Sequence, residues 1–497
     1  MDSSSFPCCY LTHCNRKGLF CPSLGGRNIL NKKQIKLAYI GGGSKAWARV
    51  FMNDLALTEG LGGEIALYDI DREAAERNRK IGERINAHPK TISRWNYVVA
   101  SSLEEALQGA DFVAISILPG TFDEMAADVH IPEKYGVYQS VGDTVGPGGV
   151  LRAMRTVPIY EGFAKAIRAY CPKAWVINLT NPMTICVKTL FDVFPEIKAF
   201  GCCHEVFNAE DFLCCVIKEE LKVKRPDRHE LVIDASGINH FTWIPKARYK
   251  GVDVLSLLPS FIEKYYESGY TEKPGVEPWD FRENPFFYGN KVKMDLFKRY
   301  GVLAAAGDRH LVEFLDRGWY LYGKEAPDEW LYHLTTVDYR KEDQRKKIAE
   351  SEAIARGEKE IVPERSPEEL IELMKAILGF GKVVSNANTI NRGQMMGLPI
   401  GSVVEVNHVF DEDSVTPLVA APLPKPVEAL IARNALNIEN TYAAIKARDL
   451  KALEEVFLAQ PLCGGLDEKD GRAAFREMVQ ATRAYLEPWY DLSGFLK

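Results

Sequence analysis

Three stretches of the sequence place groups capable of metal or acid–base chemistry directly after apolar, strand-like runs. Cys202-Cys203-His204-Glu205 ends a run that begins at Lys198, Asn239-His240 follows Leu231 to Ile238, and Asn181-Pro182 follows Ala174 to Thr180. A thiolate and an imidazole suit a borderline divalent ion and leave coordination positions for substrate oxygens. Spacing alone leaves open that Cys203 and His240 are buried structural residues. A fourth stretch, Gly41-Gly42-Gly43-Ser44-Lys45-Ala46, follows Ile35 to Ile40 and opens a helical pattern. In that context Gly41, Gly43, Ser44 and Ala46 give a tight turn in which a pyrophosphate approaches backbone N–H groups at a helix N-terminus. The next apolar run ends at Tyr68-Asp69-Ile70-Asp71, and a carboxylate there accepts from the ribose hydroxyls of NAD rather than facing the phosphate of NADP. The plain alternative is a glycine turn with a capping aspartate and no nucleotide.

The elements that must position these groups follow from periodicity. Short apolar runs at Ile35 to Ile40, Glu64 to Ile70, Asp111 to Leu118, Ala174 to Thr180 and Lys198 to Cys203 alternate with helical patterns at Arg72 to Ala87 and Val157 to Tyr170. That is the pattern of βαβ units on a parallel sheet, whose ligands gather at the C-terminal strand ends. The regularity fades beyond Val206, so the expected fold is α/β: a Rossmann-like doubly wound parallel sheet with a second, mixed α/β lobe. The expected division is a disordered leader at 1–34, an NAD-binding domain at 35–203, and a catalytic, substrate-binding and oligomerisation domain at 204–497. The charged run Asp338 to Glu364 reads as a solvated helix face. Ser366, Pro367 and Glu369 read as a helix start with a capping box, and Gly379 as its stop.

Length and composition bound the partners. The chain has 497 residues, 46% hydrophobic and 26% charged, with a formal net charge of -6, so no basic field invites nucleic acid. Neither an apolar run of about 18 residues nor a secretory signal is visible, which implies no membrane partner. The 11 cysteines form no recognisable disulfide framework and favour a reducing, cytoplasmic setting. Cys8, Cys9, Cys14 and Cys21 with His13 match no common zinc template.

Taken together, the GGGS turn, Asp69, Asn181-Pro182, Cys203-His204-Glu205-Val206, Gly237-Ile238-Asn239-His240 and Val403-Val404-Glu405-Val406 resemble glycoside hydrolase family 4, the NAD- and metal-dependent glycosidases. The resemblance runs from about Lys36 to the C-terminus. Its Cys-His-Glu-Val tetrad looks like that of the α-galacturonidase subgroup. It implies a second lobe like the C-terminal domain of lactate and malate dehydrogenases, and Mn2+ held by Cys203 and His240 with Asn181 near sugar and metal. It further implies His204 as acid at the leaving oxygen and Asp308 as base, with Tyr288 and His310 as rivals. Glu205 and Arg309 are the remaining substrate contacts, and Arg309, Arg392 and Arg152 are the candidates for a uronate carboxylate. The implied reaction oxidises sugar C3 with NAD, removes the acidified C2 proton, eliminates the aglycone, adds water and returns the hydride, outside the usual two-carboxylate scheme. The implied partner is a small uronic-acid glycoside, and the implied assembly a homo-oligomer, dimer or tetramer. Competing readings are an α-glucuronidase or α-galactosidase of the same family, a malate- or lactate-type dehydrogenase, and a nonenzymatic NAD sensor.

Overall fold

A computed structural model describes residues 33–45, 47–334 and 336–496. Ala46 of the glycine turn and the cysteines and His13 of the leader lie outside the described residues.

Six strands form the parallel part of one sheet: β1 (Lys33–Ile40), β2 (Leu61–Tyr68), β3 (Trp95–Val99), β4 (Phe112–Ile115), β5 (Trp175–Asn178) and β6 (Lys198–Gly201). Their spatial order is β3-β2-β1-β4-β5-β6, all pairs parallel, which is the doubly wound order that opens a crevice between β1 and β4. Alternation explains why these runs read as nearly continuous apolar stretches. Leu37 and Tyr39 pack into the apolar cluster on one face, while Ala38 and Ile40 pack into the cluster on the other. Phe112 and Ala114 against Val113 and Ile115 repeat the pattern. Leu37 has no exposed surface, and truncating such a side chain to Ala costs about 2–5 kcal/mol.

The sheet continues without a break into antiparallel strands. These are β7 (Val232–Ile238), β8 (Phe241–Tyr249), β9 (Val252–Asp253), β10 (Leu303–Ala304), β11 (Val383–Ile390), β12 (Val403–Asp411) and β13 (Ser414–Pro417). Beyond β6 the order is β11-β12-β7-β8-β10, with β13 on β12 and β9 on β8. The mixed character expected after Val206 is therefore built onto the same sheet. Its core, the largest apolar cluster, joins Ile238 and Trp243 to Phe314, Tyr320 and Phe475.

Helices α1 (Trp47–Ala56) and α2 (Arg72–Ala87) fall where the periodicity places them, and Asp71 caps α2 by accepting from the Ala74 N–H at 3.0 Å. Three local expectations differ from the structure. The helix expected at Val157 begins at Gly146, because residues Gly146 to Pro158 are buried all round and show no amphipathic stripe. The strands β3 and β8 were not visible as separate runs in the sequence. The helix expected from Ser366 starts at Leu370 and leaves Glu369 without a capping bond. Ser366 instead donates its backbone N–H to Asp54 at 2.8 Å, and Glu369 pairs with Arg228 at 2.8 Å, so tertiary partners displace the capping box. Gly379, at φ +83°, ends the helix as expected.

Candidate active site

Four strand ends converge. The segments after β5, β6, β7 and β10 supply Asn181, Cys203 to Glu205, His240, and Arg309 with His310 to one cavity of about 310 Å3, which Asp143, in the loop before the helix Gly146–Tyr170, and Trp47 at the start of α1 also line. Apart from Asp308 and the carboxylate candidates Arg152 and Arg392, every substrate, metal and acid–base residue expected from the sequence reaches this cavity.

The dinucleotide turn is shaped by packing. Gly41 has φ +91°, and a Cβ there would lie 2.0 Å from the Ser116 carbonyl oxygen. A Cβ on Gly43 would lie 2.6 Å from the Ala74 Cβ and 2.8 Å from an Asp69 carboxylate oxygen. Asp69 accepts from the N–H of Gly43 at 2.8 Å and of Asp71 at 2.9 Å, tying the end of β2 to the turn. Asn78 of α2, missed in the sequence reading, donates to the carbonyls of Gly42 at 2.7 Å and Ser44 at 2.8 Å. These contacts draw the turn's carbonyls inward, and the first-turn N–H groups of α1 have no intrahelical acceptors by helix geometry.

At the far side of the cavity, Asp143, His240 and His310 place ligand atoms within 4.8 Å of one another. Cys203 lines the same cavity but is outside that group. His240 sits at φ +62°, its ring 3.9 Å from that of His310 between centroids. The Thr144 hydroxyl carries one proton and donates it to Asp143 at 2.7 Å. At His240 Nδ1, 2.9 Å away, it therefore accepts, which puts the ring proton on Nδ1 and leaves Nε2 with its lone pair. Burial, then the neighbouring His310, pulls the His240 pKa down to about 3, so the ring is neutral. The buried Nδ1 of His310 has no hydrogen-bond partner among the described residues.

Glu205 would be pushed up by burial, but His310, His204 and His240 and a 2.6 Å bond from the Gly307 N–H hold it at about 2. It is an ionised carboxylate tied to the Gly307 N–H rather than a free acid. His204 lies against Trp47, ring centroids 5.8 Å apart, with Glu205 at 3.8 Å and Glu368 at 3.6 Å from its ring nitrogens. Burial pushes the Cys203 thiol well up, with Glu405 and Glu205 adding to the rise. Asn181 keeps its carbonyl bonded to Arg152 at 3.0 Å, and its buried side-chain oxygen has no partner among the described residues.

Asp308 is the exception. Its carboxylate faces away from the cavity and accepts from the N–H groups of Val292 at 3.2 Å and Lys293 at 3.0 Å, capping the helix Lys291–Tyr300. Burial raises its pKa to about 7, against the pull of Lys293. The GDRH stretch looked like an active-site loop, yet its backbone turns Arg309 and His310 inward and Asp308 onto a helix end. Tyr288 is the phenol that does line the cavity, its buried hydroxyl without a hydrogen-bond partner among the described residues. Asp308→Ala should therefore cost about 1–2 kcal/mol of stability through the lost cap, measured by denaturant unfolding, with Asp308→Asn closer to wild type. A variant that loses activity with unchanged stability would return Asp308 to the chemistry.

Among the arginine candidates, Arg309 lines the cavity, Arg152 does not and donates its Nε to the Asn181 carbonyl at 3.0 Å, and Arg392 is exposed in the β11–β12 loop. Arg340, Lys273 and Phe286 also line it and were missed. Arg340 was hidden inside the charged run read as a solvated face. Its helix, Val337–Arg356, turns that one residue toward the cavity.

Residues 36–219 match family 4 glycosyl hydrolase, and residues 235–463 match the C-terminal domain of that family. The chain belongs to glycosyl hydrolase family 4. It is 47% identical over 455 residues to an alpha-galacturonidase of Thermoanaerobacterium saccharolyticum, covering 92% of this chain and 97% of that protein. A solved structure described as a putative glucosidase from Bacillus subtilis is 44% identical with a TM-score of 0.85, covering 90% of this chain and 99% of the other. A 6-phospho-alpha-glucosidase from gut microorganisms, solved with NAD and Mn2+, shares the fold at 20% identity and a TM-score of 0.74, covering 91% and 99%. This family 4 protein is thus a glycosidase, which sets aside the dehydrogenase and the nonenzymatic sensor. Among the described residues, no helix is long and apolar enough to cross a membrane.

Proposed function

We propose that this family 4 glycosidase is an NAD- and manganese-dependent α-galacturonidase acting on small uronic-acid glycosides. The near-full-length likeness to an alpha-galacturonidase, at 47% identity, carries the reading. A panel of p-nitrophenyl α-galacturonide, α-glucuronide and α-galactoside, with NAD, Mn2+ and a thiol reductant, tests it. Galacturonide should be the best substrate, and preference for either of the others refutes the specificity.

The residues fit both cofactors. The bare Gly41 backbone, the N-terminus of α1 and Asp69 suit a dinucleotide, and residues 35–203 are assigned to it, with 204–497 completing the catalytic lobe. His240 is common to the Cys203–His240 pair expected from the motif and the Asp143–His240–His310 group assembled by the fold, so it is the ligand on which the metal assignment stands. When bound, NAD and Mn2+ supply reversible hydride transfer and Lewis-acid polarisation of the sugar oxygens. The protein's own groups do the rest. Tyr288, the phenol that lines the cavity, removes the C2 proton; burial and then the Glu272, Glu205 and Asp308 charges raise its phenol, and only the Arg309 charge opposes that rise. His204, the more accessible imidazole, protonates the leaving oxygen, with Glu205 at 3.8 Å and Glu368 at 3.6 Å from its ring nitrogens. Asn181 orients the sugar.

Asp69→Ala should weaken NAD binding about tenfold or more, consistent with about 1.5–3 kcal/mol for a charge-assisted hydrogen bond, and leave manganese binding unchanged by titration calorimetry. A wild type that prefers NADP contradicts this role.

The seven described cysteines are free and buried, which supports a reducing, cytoplasmic setting. Met396 at 83% exposure and Val419 at 77% lie on segments joined by the Ala420 N–H to the Gln394 carbonyl at 2.7 Å, and these exposed apolar side chains support a homo-oligomer.

A further inference from the structure

One wall of the cavity carries more positive charge than the acid–base chemistry uses. Arg309 and Arg340 hold their guanidinium groups 5.2 Å and 5.5 Å from the centroid of Phe286, and the Lys273 ammonium lies 5.1 Å from that of Phe287. Burial lowers the pKa of both arginines, and for Arg309, at about 10, the neighbouring Arg340 charge is the next cause. Like charges gathered beside one ring in a water-poor wall repel, and an anion placed between them relieves that repulsion.

The protein's own carboxylates around Arg340 are engaged elsewhere. Asp143 is bonded to Thr144 and grouped with the two imidazoles, Glu313 accepts from the N–H groups of Val141 at 2.6 Å and Gly142 at 2.9 Å, and Asp343 pairs with Lys347 at 2.7 Å. Arg340 and Lys273 make no ion pair among the described residues, and the buried Nε of Arg340 has no hydrogen-bond partner there. A planar fork of donors held over an aromatic ring matches a carboxylate, whereas a sugar hydroxymethyl group presents no charge to it.

We propose that Arg340, beside Arg309 on the Phe286 wall, binds the carboxylate of the uronic acid and is the residue that selects a uronide over the neutral hexoside. This rests on the α-galacturonidase reading. The sequence offers no local sign of it, since Arg340 is one of many charges in its helix.

The test is kcat/KM of the holoenzyme, with NAD and Mn2+, on p-nitrophenyl α-galacturonide and p-nitrophenyl α-galactoside. In Arg340→Met the galacturonide-to-galactoside ratio should fall on the order of 100-fold, the scale of removing one partner of a desolvated charge pair. Arg340→Lys, which keeps the stem and the charge but loses the fork, should lower the ratio by about tenfold and serves if the Met variant does not fold. Thermal protection by free galacturonate, compared with galactose, should weaken in parallel. An unchanged ratio, or equal losses on both substrates, overturns the assignment. A wild type that cleaves no uronide overturns the α-galacturonidase reading as well, whereas a uronide-specific wild type whose variants keep the ratio defeats the Arg340 inference alone.

Discussion

Tyr288→Phe should lower kcat on the galacturonide by about 100- to 10,000-fold, the usual range for removing a positioned general base, with little change in stability. The hydroxyl is buried in the cavity without a hydrogen-bond partner among the described residues, so its removal strands no donor or acceptor within the protein. The ring remains to pack against Gly307, where a Cβ would come within 2.6 Å of it. Hydride transfer precedes proton removal in the proposed sequence, so single-turnover mixing should still show NADH forming in the variant. Solvent exchange at C2 should fall with kcat. If Tyr288→Phe exchanges C2 at the wild-type rate, the base lies elsewhere, and His310 is the next group on the same wall.

The other large effect is expected at His240. Its Nδ1 proton is committed to Thr144, its pKa is held at about 3 by burial, and its backbone adopts φ +62°, a left-handed conformation uncommon for non-glycine residues but one that histidine tolerates. His240→Ala should lose bound manganese and with it activity by at least about 1,000-fold, consistent with the several kcal/mol that a catalytic metal supplies. NAD binding should persist, because the glycine turn and Asp69 lie on other strands. Thr144→Val should weaken manganese by about 10- to 100-fold, as removal of a partner that orients a ligand does. Full metal occupancy in purified His240→Ala would refute the assignment. The same metal analysis on Cys203→Ser, Asp143→Asn and His310→Ala then ranks the motif pair against the group assembled by the fold.

The parallel sheet was legible because each strand is covered on both faces and leaves an apolar run, and because the turn between β1 and α1 needs residues without a Cβ. Cys203 and His204 were legible for a related reason: they follow the C-terminal end of β6, where such a sheet collects ligands, and His240 was legible from the apolar run of β7 that precedes it. Asp143 and Arg340 were not. Asp143 precedes a helix buried all round, whose first turns carry no stripe to mark them, and Arg340 is one inward charge among outward ones. Asp308 lies outside the cavity for a subtler reason. A one-residue step along a turn reverses which side chain faces the cavity, and only the packing against the helix Lys291–Tyr300 decides it. The β3 strand, five residues at the sheet edge, lacks the length and flanking breaks that a sequence reading needs.

A glycosidase with no net oxidation is expected to work through removal and return of the C2 proton. Hydrolysis of the galacturonide to completion in heavy water, followed by NMR or mass analysis of the released sugar, tests it directly. About one deuterium is expected at C2 of each product molecule, since the proton taken by the base is replaced from solvent when the double bond is hydrated. Product that carries no deuterium at C2 would contradict it and would point to direct displacement at C1.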